Sequence, residues 1–288
     1  MAGQVSNPGS IGLERSCKNS RSEYIWQKEL AKGVELLDVW FQGYAYHRHR
    51  HDTYAICLTT AGVQSFGYRG CSRISTPGNI VVLHPDEMHD GQPGTREGLG
   101  YRMLYINPGL IFDAARATFG PDTSLPFVSD PVLTHGKLPA TVEKAFHYTD
   151  EPLGIDSLIS ELAQGLIASA SASIPAPPSR RLDLNALERV RQYLDMEKTR
   201  VVRSWELEEI TGLSRYELAR QFRLRYGTSP YRYMLMRRLE FARKQLAKPL
   251  PLADVALASG FSDQSHFTRV FKAGFGLTPA HYRALSGQ

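Results

Sequence analysis

The stretch that decides the fold of this chain is LEEITGLSRYELARQF at residues 207–222, because a related copy, VALASGFSDQSHFTRVF, follows at residues 255–271. The two copies share glycine, serine, arginine and apolar positions at a nearly constant offset. The matched pairs are Gly212 and Gly260, Ser214 and Ser262, Leu218 and Phe267, Arg220 and Arg269, Phe222 and Phe271, Gly227 and Gly276, and Pro230 and Pro279. A duplication of this length indicates that one supersecondary unit occurs twice.

Each copy carries the local signals of a helix-turn-helix. A short helix is predicted to end at Gly212 or Gly260, where a left-handed backbone is easily adopted, and Ser214 or Ser262 is predicted to cap the next helix. Apolar residues spaced by four face the core, which leaves a polar set near the N-terminal end that enters the major groove in this motif. These candidate DNA-binding residues are Arg215, Tyr216, Ala219 and Arg220 in the first copy and Gln264, Ser265, His266 and Arg269 in the second.

A long helix predicted over residues 229–247 separates the two copies, and its nineteen residues span about 28 Å. That length is close to the roughly 34 Å between successive major-groove faces, so one chain can read two adjacent grooves. Charge agrees with this interpretation: from residue 180 onward 20 Lys and Arg face 11 Asp and Glu, or +9, and the rest has 14 against 18, or −4. A helical bundle with solvated arginines is the alternative.

The chain is predicted to be an α+β protein of two domains joined by the small-residue and proline-rich segment 169–182. Short β-prone runs between residues 34 and 106 alternate with turn signals, which favours an antiparallel sandwich or barrel. Helical periodicity follows at 109–119, 139–148 and 155–168, and the last helix carries an apolar stripe that either forms a dimer interface or packs back on the sheet. We predict a disordered segment at 1–22 and domains at 23–168 and 183–288.

Histidines cluster in the β-rich half. His47, His49 and His51 alternate along one predicted strand and are expected to share a face, while His84 and His89 bracket a turn. Recognition of a small molecule, a purely structural role and a metal site are three open interpretations, of which the first is favoured. The candidate ligand-binding residues are His49, His51, Tyr54, His89 and Arg102. Arg102 or a charged imidazole favours an anionic group, so an amino acid or an organic acid is the expected effector class.

The helical half resembles the C-terminal domain of AraC/XylS-type transcription regulators, most specifically in ALASGFSDQSHFTRVFKAGFGLTPAHYR at residues 256–283. The resemblance implies two helix-turn-helix units that bind duplex DNA. It points to base contacts from Tyr216, Ala219 and Arg220 and from Ser265, His266 and Arg269. Arg220 and Arg269 are the residues expected to read guanine edges, because a guanidinium can bond to O6 and N7 together.

The β-rich half resembles the cupin-like sensor of the same regulators, through HRHDTY at residues 49–54 and PDEMH at residues 85–89. Metal-dependent cupins carry a glutamate shortly after their HxH motif, whereas Ala55 and Ile56 stand there in this chain, so neither a metal nor a cofactor is expected. The resemblance implies a cupin-like β-barrel that binds an effector, a homodimer, and RNA polymerase as a partner. Activation and repression both stay open.

We therefore predict a sequence-specific, DNA-binding transcription regulator that is controlled by a small molecule and is not an enzyme. The polar N-terminus lacks the apolar core of a signal peptide and no run approaches a membrane span, so a cytoplasmic location is expected. Phosphate contacts are expected from helix N-termini and from Arg223, Arg225, Arg232 and Lys272. Two rival functions are a cupin enzyme that docks through its helical half and a non-specific architectural protein that bends DNA.

Overall fold

The computed structural model describes residues 23–42, 46–147, 152–170 and 182–286. The strands of the N-terminal half are β1 (Tyr24–Ala31), β2 (Val34–Phe41), β3 (Tyr46–His49), β4 (Tyr54–Gly62), β5 (Gln64–Tyr68), β6 (Cys71–Ser75), β7 (Ile80–Leu83), β8 (His89–Pro93), β9 (Leu99–Ile106) and β10 (Val132–Leu133). Its helices are α1 (Pro108–Phe119), α2 (Leu138–Ala145) and α3 (Pro152–Ser169). The N-terminal segment predicted to be disordered and most of the predicted linker lie outside the described residues.

Two antiparallel sheets form the N-terminal half. One has six strands in the order β1-β2-β9-β4-β7-β10, and the other has four in the order β3-β8-β5-β6. Side chains alternate between the two faces of a strand, so Cys57 and Met103 point toward the second sheet while Ile56 and Leu104 point toward the helices. The larger sheet is therefore covered on both faces, which explains why β4 begins with six consecutive buried residues.

The apolar stripe of α3 packs inside the N-terminal half. Ile155, Leu158, Leu162 and Leu166 are all buried, in a cluster that they share with α1, α2 and the outer face of the six-stranded sheet. Of the two alternatives that the sequence left open, packing back onto the sheet is the one observed. The stripe is covered within its own chain, so it is not a surface for dimerisation.

The helical half contains two helix-turn-helix units. Its helices are α4 (Leu184–Met196), α5 (Ser204–Thr211), α6 (Arg215–Tyr226), α7 (Pro230–Leu246), α8 (Leu252–Ala258), α9 (Gln264–Phe275) and α10 (Pro279–Ser286). Helices α5 and α6 form the first unit, α8 and α9 the second, and α7 lies between them. The 17 residues of α7 span about 25 Å.

The second helix of each unit begins at a side-chain cap. The Ser214 side chain caps α6, as predicted. For α9 the cap is Asp263, whose carboxylate accepts the backbone N–H of His266 at 2.7 Å, so the prediction of Ser262 is wrong by one residue. The second copy has one extra residue in its turn, and aspartate is as good a cap as serine.

The two halves are held together by buried charged and apolar contacts. Arg237 on α7 donates to Asp52 at 2.8 Å and Arg243 donates to Glu35 at 2.6 Å. A single apolar cluster also continues from the inner faces of both sheets into α7, α8, α9 and α10. Within the described ranges, none of the helices is long and apolar enough to cross a membrane.

Candidate functional site

The N-terminal ends of α6 and α9 present two polar surfaces. Leu218 and Phe222 bury one side of α6, and Phe267 and Phe271 bury one side of α9. The residues predicted to contact DNA lie on the opposite sides: Arg215, Tyr216, Arg220, Gln264, Ser265 and Arg269 are exposed, and Ala219 and His266 are partly exposed. Each predicted set therefore lies together on an accessible face of its helix.

Neighbouring side chains orient two of the arginines on α6. Arg220 donates two hydrogen bonds to the Glu217 carboxylate, at 3.0 and 2.6 Å, and this bonding raises the pKa of the guanidinium. The guanidinium of Arg215 lies 4.9 Å from the ring centroid of Tyr216. Both guanidinium groups are held at the surface, where bidentate contact with a base edge is sterically open to them.

Two of the four predicted phosphate-binding residues are engaged by the N-terminal half instead. Arg225 donates to the backbone oxygen of Gly109 at 2.6 Å and to Asp113 at 2.7 Å. Arg232 lies 3.3 Å from Asp86. In this arrangement the prediction is wrong for both arginines, because carboxylates across the domain boundary already pair with them. Of the other two, Arg223 is exposed and Lys272 is partly exposed.

A cavity of about 90 Å³ lies between the two sheets and the helical half. Its walls come from the inner faces of both sheets and from α7, α9 and α10. The charged and imidazole side chains of the lining are Glu35, His49, His51, Asp52, His89, Asp90, Glu240 and Arg243. Most of the remaining lining is apolar or aromatic, which is the usual composition of a pocket for a small organic molecule.

Three imidazoles meet at one wall of this cavity, and we refer to His49, His51 and His89 as the histidine triad. The ring centroids of His49 and His89 are 4.3 Å apart, and those of His51 and His89 are 4.9 Å apart. His89 joins the group because it is the register partner of His49 across β3 and β8. His47 was expected on the same face but is exposed, because the pairing of β3 is irregular between Tyr46 and His49.

Burial dominates the electrostatics of the triad. Burial first, and then the charge of a neighbouring triad ring, lowers the pKa of each imidazole from 6.5 to about 3. The three rings are therefore neutral near neutral pH. Within the described part of the chain, no group of three His, Cys, Asp or Glu is arranged to hold a metal ion.

Tyr54 and Arg102, which were predicted to bind the same ligand, lie on the other face of the six-stranded sheet. The Tyr54 hydroxyl donates to a backbone carbonyl at 2.8 Å. Arg102 pairs with Asp38 at 3.2 Å and also with Glu143 on α2. The prediction failed because side chains alternate along a strand: Tyr101 lines the cavity, so its neighbour in β9 points away from it.

Helix α7 supplies two cavity residues that were not predicted from the sequence, Glu240 and Arg243. Glu240 lies 3.0 Å from Arg237, and burial raises the pKa of its carboxyl group. One signal was available, because Glu240 is the single acidic residue in the sequence of this otherwise basic helix. An acidic residue on an otherwise basic helix is not expected to face DNA phosphates.

We refer to α6 and α9 as the first and second recognition helices. The cavity wall is in direct contact with the second recognition helix. The backbone N–H of His47 donates to the carbonyl oxygen of Gly276, and that of Arg50 donates to that of Ala273, both at 3.2 Å. These bonds join β3, which carries His49, to the last turn of α9 and the residue that follows it. The cavity wall and the end of α9 are therefore directly hydrogen-bonded neighbours.

Two helix-turn-helix units with accessible recognition faces, joined to a sheet-rich domain, define a DNA-binding transcription regulator with a ligand-binding domain. Residues 207–285 match the family model of a helix-turn-helix domain, and residues 32–164 match that of an AraC-like ligand binding domain. The chain belongs to the AraC family of transcriptional regulators. Its predicted two-domain α+β fold is confirmed.

Relatives and solved structures agree with this assignment. The HTH-type regulator YbfI of Bacillus subtilis is 29% identical over 226 residues, which are 76% of this chain and 80% of that protein. The transcriptional activator NphR of Rhodococcus sp is 27% identical over 243 residues, 80% of this chain and 69% of that protein. ToxT of Vibrio cholerae has the same fold, with a TM-score of 0.62 at 14% identity over 88% of this chain and 98% of that one.

Proposed function

We propose that the cavity is the effector site of this regulator and that its occupant acts on DNA binding through β3 and α9. The observation that carries the proposal is the position of β3, which contributes His49 to the cavity wall and is hydrogen-bonded to the end of α9. A ligand changes DNA affinity only if it prefers one arrangement of the recognition helices over another. An occupant that contacts β3, and fits one position of this strand better than another, meets that condition.

On the DNA side, the proposal assigns base contacts to the exposed faces of α6 and α9. Arg220 and Arg269 read guanine edges, and α7, which is about 25 Å long, separates the two helices. One chain then spans two neighbouring major-groove faces. The protein acts in the cytoplasm, where the chromosome is. Its partner is RNA polymerase. It is a homodimer whose interface does not use the α3 stripe.

The effector acts without being chemically changed. The relatives are transcriptional regulators, and most of the cavity lining beside the triad is apolar or aromatic, which favours binding over catalysis. ToxT has been solved with an unsaturated fatty acid bound, so this fold is able to hold a small molecule. The identity of the molecule in the present chain depends on its own lining residues.

Fluorescence anisotropy against duplex DNA from the regulator's own upstream region tests the DNA assignment, with an excess of unrelated duplex as competitor. Arg220→Ala and Arg269→Ala should each weaken specific binding by about 1–3 kcal/mol. Arg96→Ala, which removes an exposed arginine of the N-terminal half, is the matched control and should bind as the parent does. Unchanged affinity in both recognition-helix variants would contradict the assignment. Binding that the competitor erases would favour a non-specific architectural protein.

A further inference from the structure

The hydrogen bonds of the histidine triad determine what each ring offers to the cavity. In His49, His51 and His89 the Nδ1 atom lies 2.7–2.9 Å from the backbone carbonyl oxygen of a residue two positions away. A carbonyl oxygen only accepts hydrogen bonds, so Nδ1 carries the proton in all three rings. The other nitrogen, Nε2, is then an unprotonated acceptor in each neutral imidazole.

The triad is therefore suited to a hydrogen-bond donor and not to an anion. Burial lowers the pKa of all three rings to about 3, so they carry no positive charge at neutral pH. Among the described residues, nothing bonds to Nε2 of His51, which is fully buried. A buried acceptor without a partner is costly, and a donor from a bound molecule would remove that cost.

The charges around the cavity also favour a cation. Its described lining has four carboxylates and a single Lys or Arg, Arg243. The carboxylates belong to Glu35, Asp52, Asp90 and Glu240. Arg243 donates to Glu35 at 2.6 Å, and Arg237, outside the lining, lies 2.8 Å from Asp52 and 3.0 Å from Glu240, so these four carboxylates face two arginines. Asp52 uses Oδ2 to bind Arg237, whereas its Oδ1 is buried and has no hydrogen-bond partner in the described structure.

We infer that the effector of this regulator is a small primary amine, bound as its ammonium ion, which donates hydrogen bonds to Nε2 of His51 and to Oδ1 of Asp52. The inference rests on the proposed function and names the ligand class of the same site. It replaces the anionic effector expected from the sequence, because Arg102 lies outside the cavity and the triad is uncharged.

The rest of the lining fits such a ligand. The aromatic rings of Tyr101 and Tyr105 line the cavity and stabilise a nearby cation through their faces. Apolar side chains such as Leu37 and Met103 receive the carbon skeleton. The volume of about 90 Å³ corresponds to roughly six water-sized spheres, which is the size of an amine with a handful of carbon atoms.

Isothermal titration calorimetry on the full chain near neutral pH tests the inference. The probes are butylamine, isoamylamine and 2-phenylethylamine, each compared with the carboxylate and the alcohol on the same carbon skeleton. We expect at least one amine to bind tenfold or more tightly than its two partners. The inference is overturned if a carboxylate binds as tightly as its amine, or if none of the amines binds at millimolar concentration.

A pair of variants locates the binding group. His51→Leu removes the acceptor and should weaken the amine at least tenfold while leaving the alcohol little changed. His47→Leu, at an exposed position of the same strand, should leave both unchanged. The inference is overturned if His51→Leu binds the amine as tightly as the unaltered chain does. If that variant does not fold, the probe series on the unaltered chain decides.

Anisotropy without any amine keeps the two claims separate. Specific DNA binding by a chain that binds none of the amines overturns the amine inference and leaves the DNA assignment intact. Amine binding by a chain that binds no specific DNA, even after the amine is added, supports the inference about the cavity and overturns the proposed function.

Discussion

Gly276 is the residue at which the second recognition helix touches the cavity wall, and replacing it with alanine tests that contact. It follows α9 with a φ of +73°. A Cβ at this position would lie 2.9 Å from Nδ1 of His49 and 2.9 Å from the ring of Tyr46. Gly212 is a matched control, because it follows α5 with a φ of +70° and a Cβ there would meet nothing within 4 Å.

The expected magnitudes follow from these two environments. A left-handed backbone costs alanine about 1–2 kcal/mol relative to glycine, and this cost is the same at both positions. Gly276→Ala also crowds the Cβ against β3, and such overpacking costs typically about 1–3 kcal/mol. The free energy of unfolding should therefore fall by about 1–2 kcal/mol in Gly212→Ala and by about 2–5 kcal/mol in Gly276→Ala.

Urea unfolding of the full chain, followed by circular dichroism, measures both losses. A third variant provides an independent check, because a Cβ at Gly227, also left-handed at +71°, would lie 2.8 Å from Cβ of Pro85 in the N-terminal half. Gly227→Ala should resemble Gly276→Ala. Equal losses in all three variants would refute the reasoning, since they would mean that the two halves do not touch at these points in solution.

Stability should also depend on pH through the histidine triad, whose rings have pKa values near 3 when folded against 6.5 for an ordinary histidine. Between these values the unfolded chain binds more protons, so stability is lost as pH falls below about 6.5, by up to about 1.4 kcal/mol per pH unit for each ring. A urea midpoint that stays constant from neutral to mildly acidic pH would contradict this. Asp52→Asn removes the nearer of the two carboxylates that pair with Arg237 and should cost about 1–3 kcal/mol in the same assay, whereas Asp122→Asn, at an exposed site, should cost almost nothing. Arg102→Ala should leave ligand affinity unchanged, because this side chain pairs with Asp38 and Glu143 outside the cavity; a calorimetric loss of binding would show that the alternation argument is wrong.

The sequence predictions were most accurate where the signal comes from residues that are close together in the chain. The short helix predicted to end at Gly212 is observed at Ser204–Thr211, because caps and apolar periodicity act within a few residues. The β-prone runs predicted between residues 34 and 106 include the apolar strands β2, β4 and β9. Strands β6 (CSRIS) and β8 (HDGQP) carry no such signal, since their sequences are polar or contain Gly and Pro. They form strands because partners in the four-stranded sheet pair with them.

The sequence by itself determined the two helix-turn-helix units and the faces that they expose, because a repeat, its caps and its helical period are properties of neighbouring residues. The cavity was decided only by the tertiary structure. Strand pairing brings His89 opposite His49, and packing of the two halves brings Glu240 and Arg243 into the lining. A shift of one residue along a strand moves a side chain to the other face of the sheet. Composition and spacing therefore suggested Arg102 for the ligand site, whereas register placed it outside.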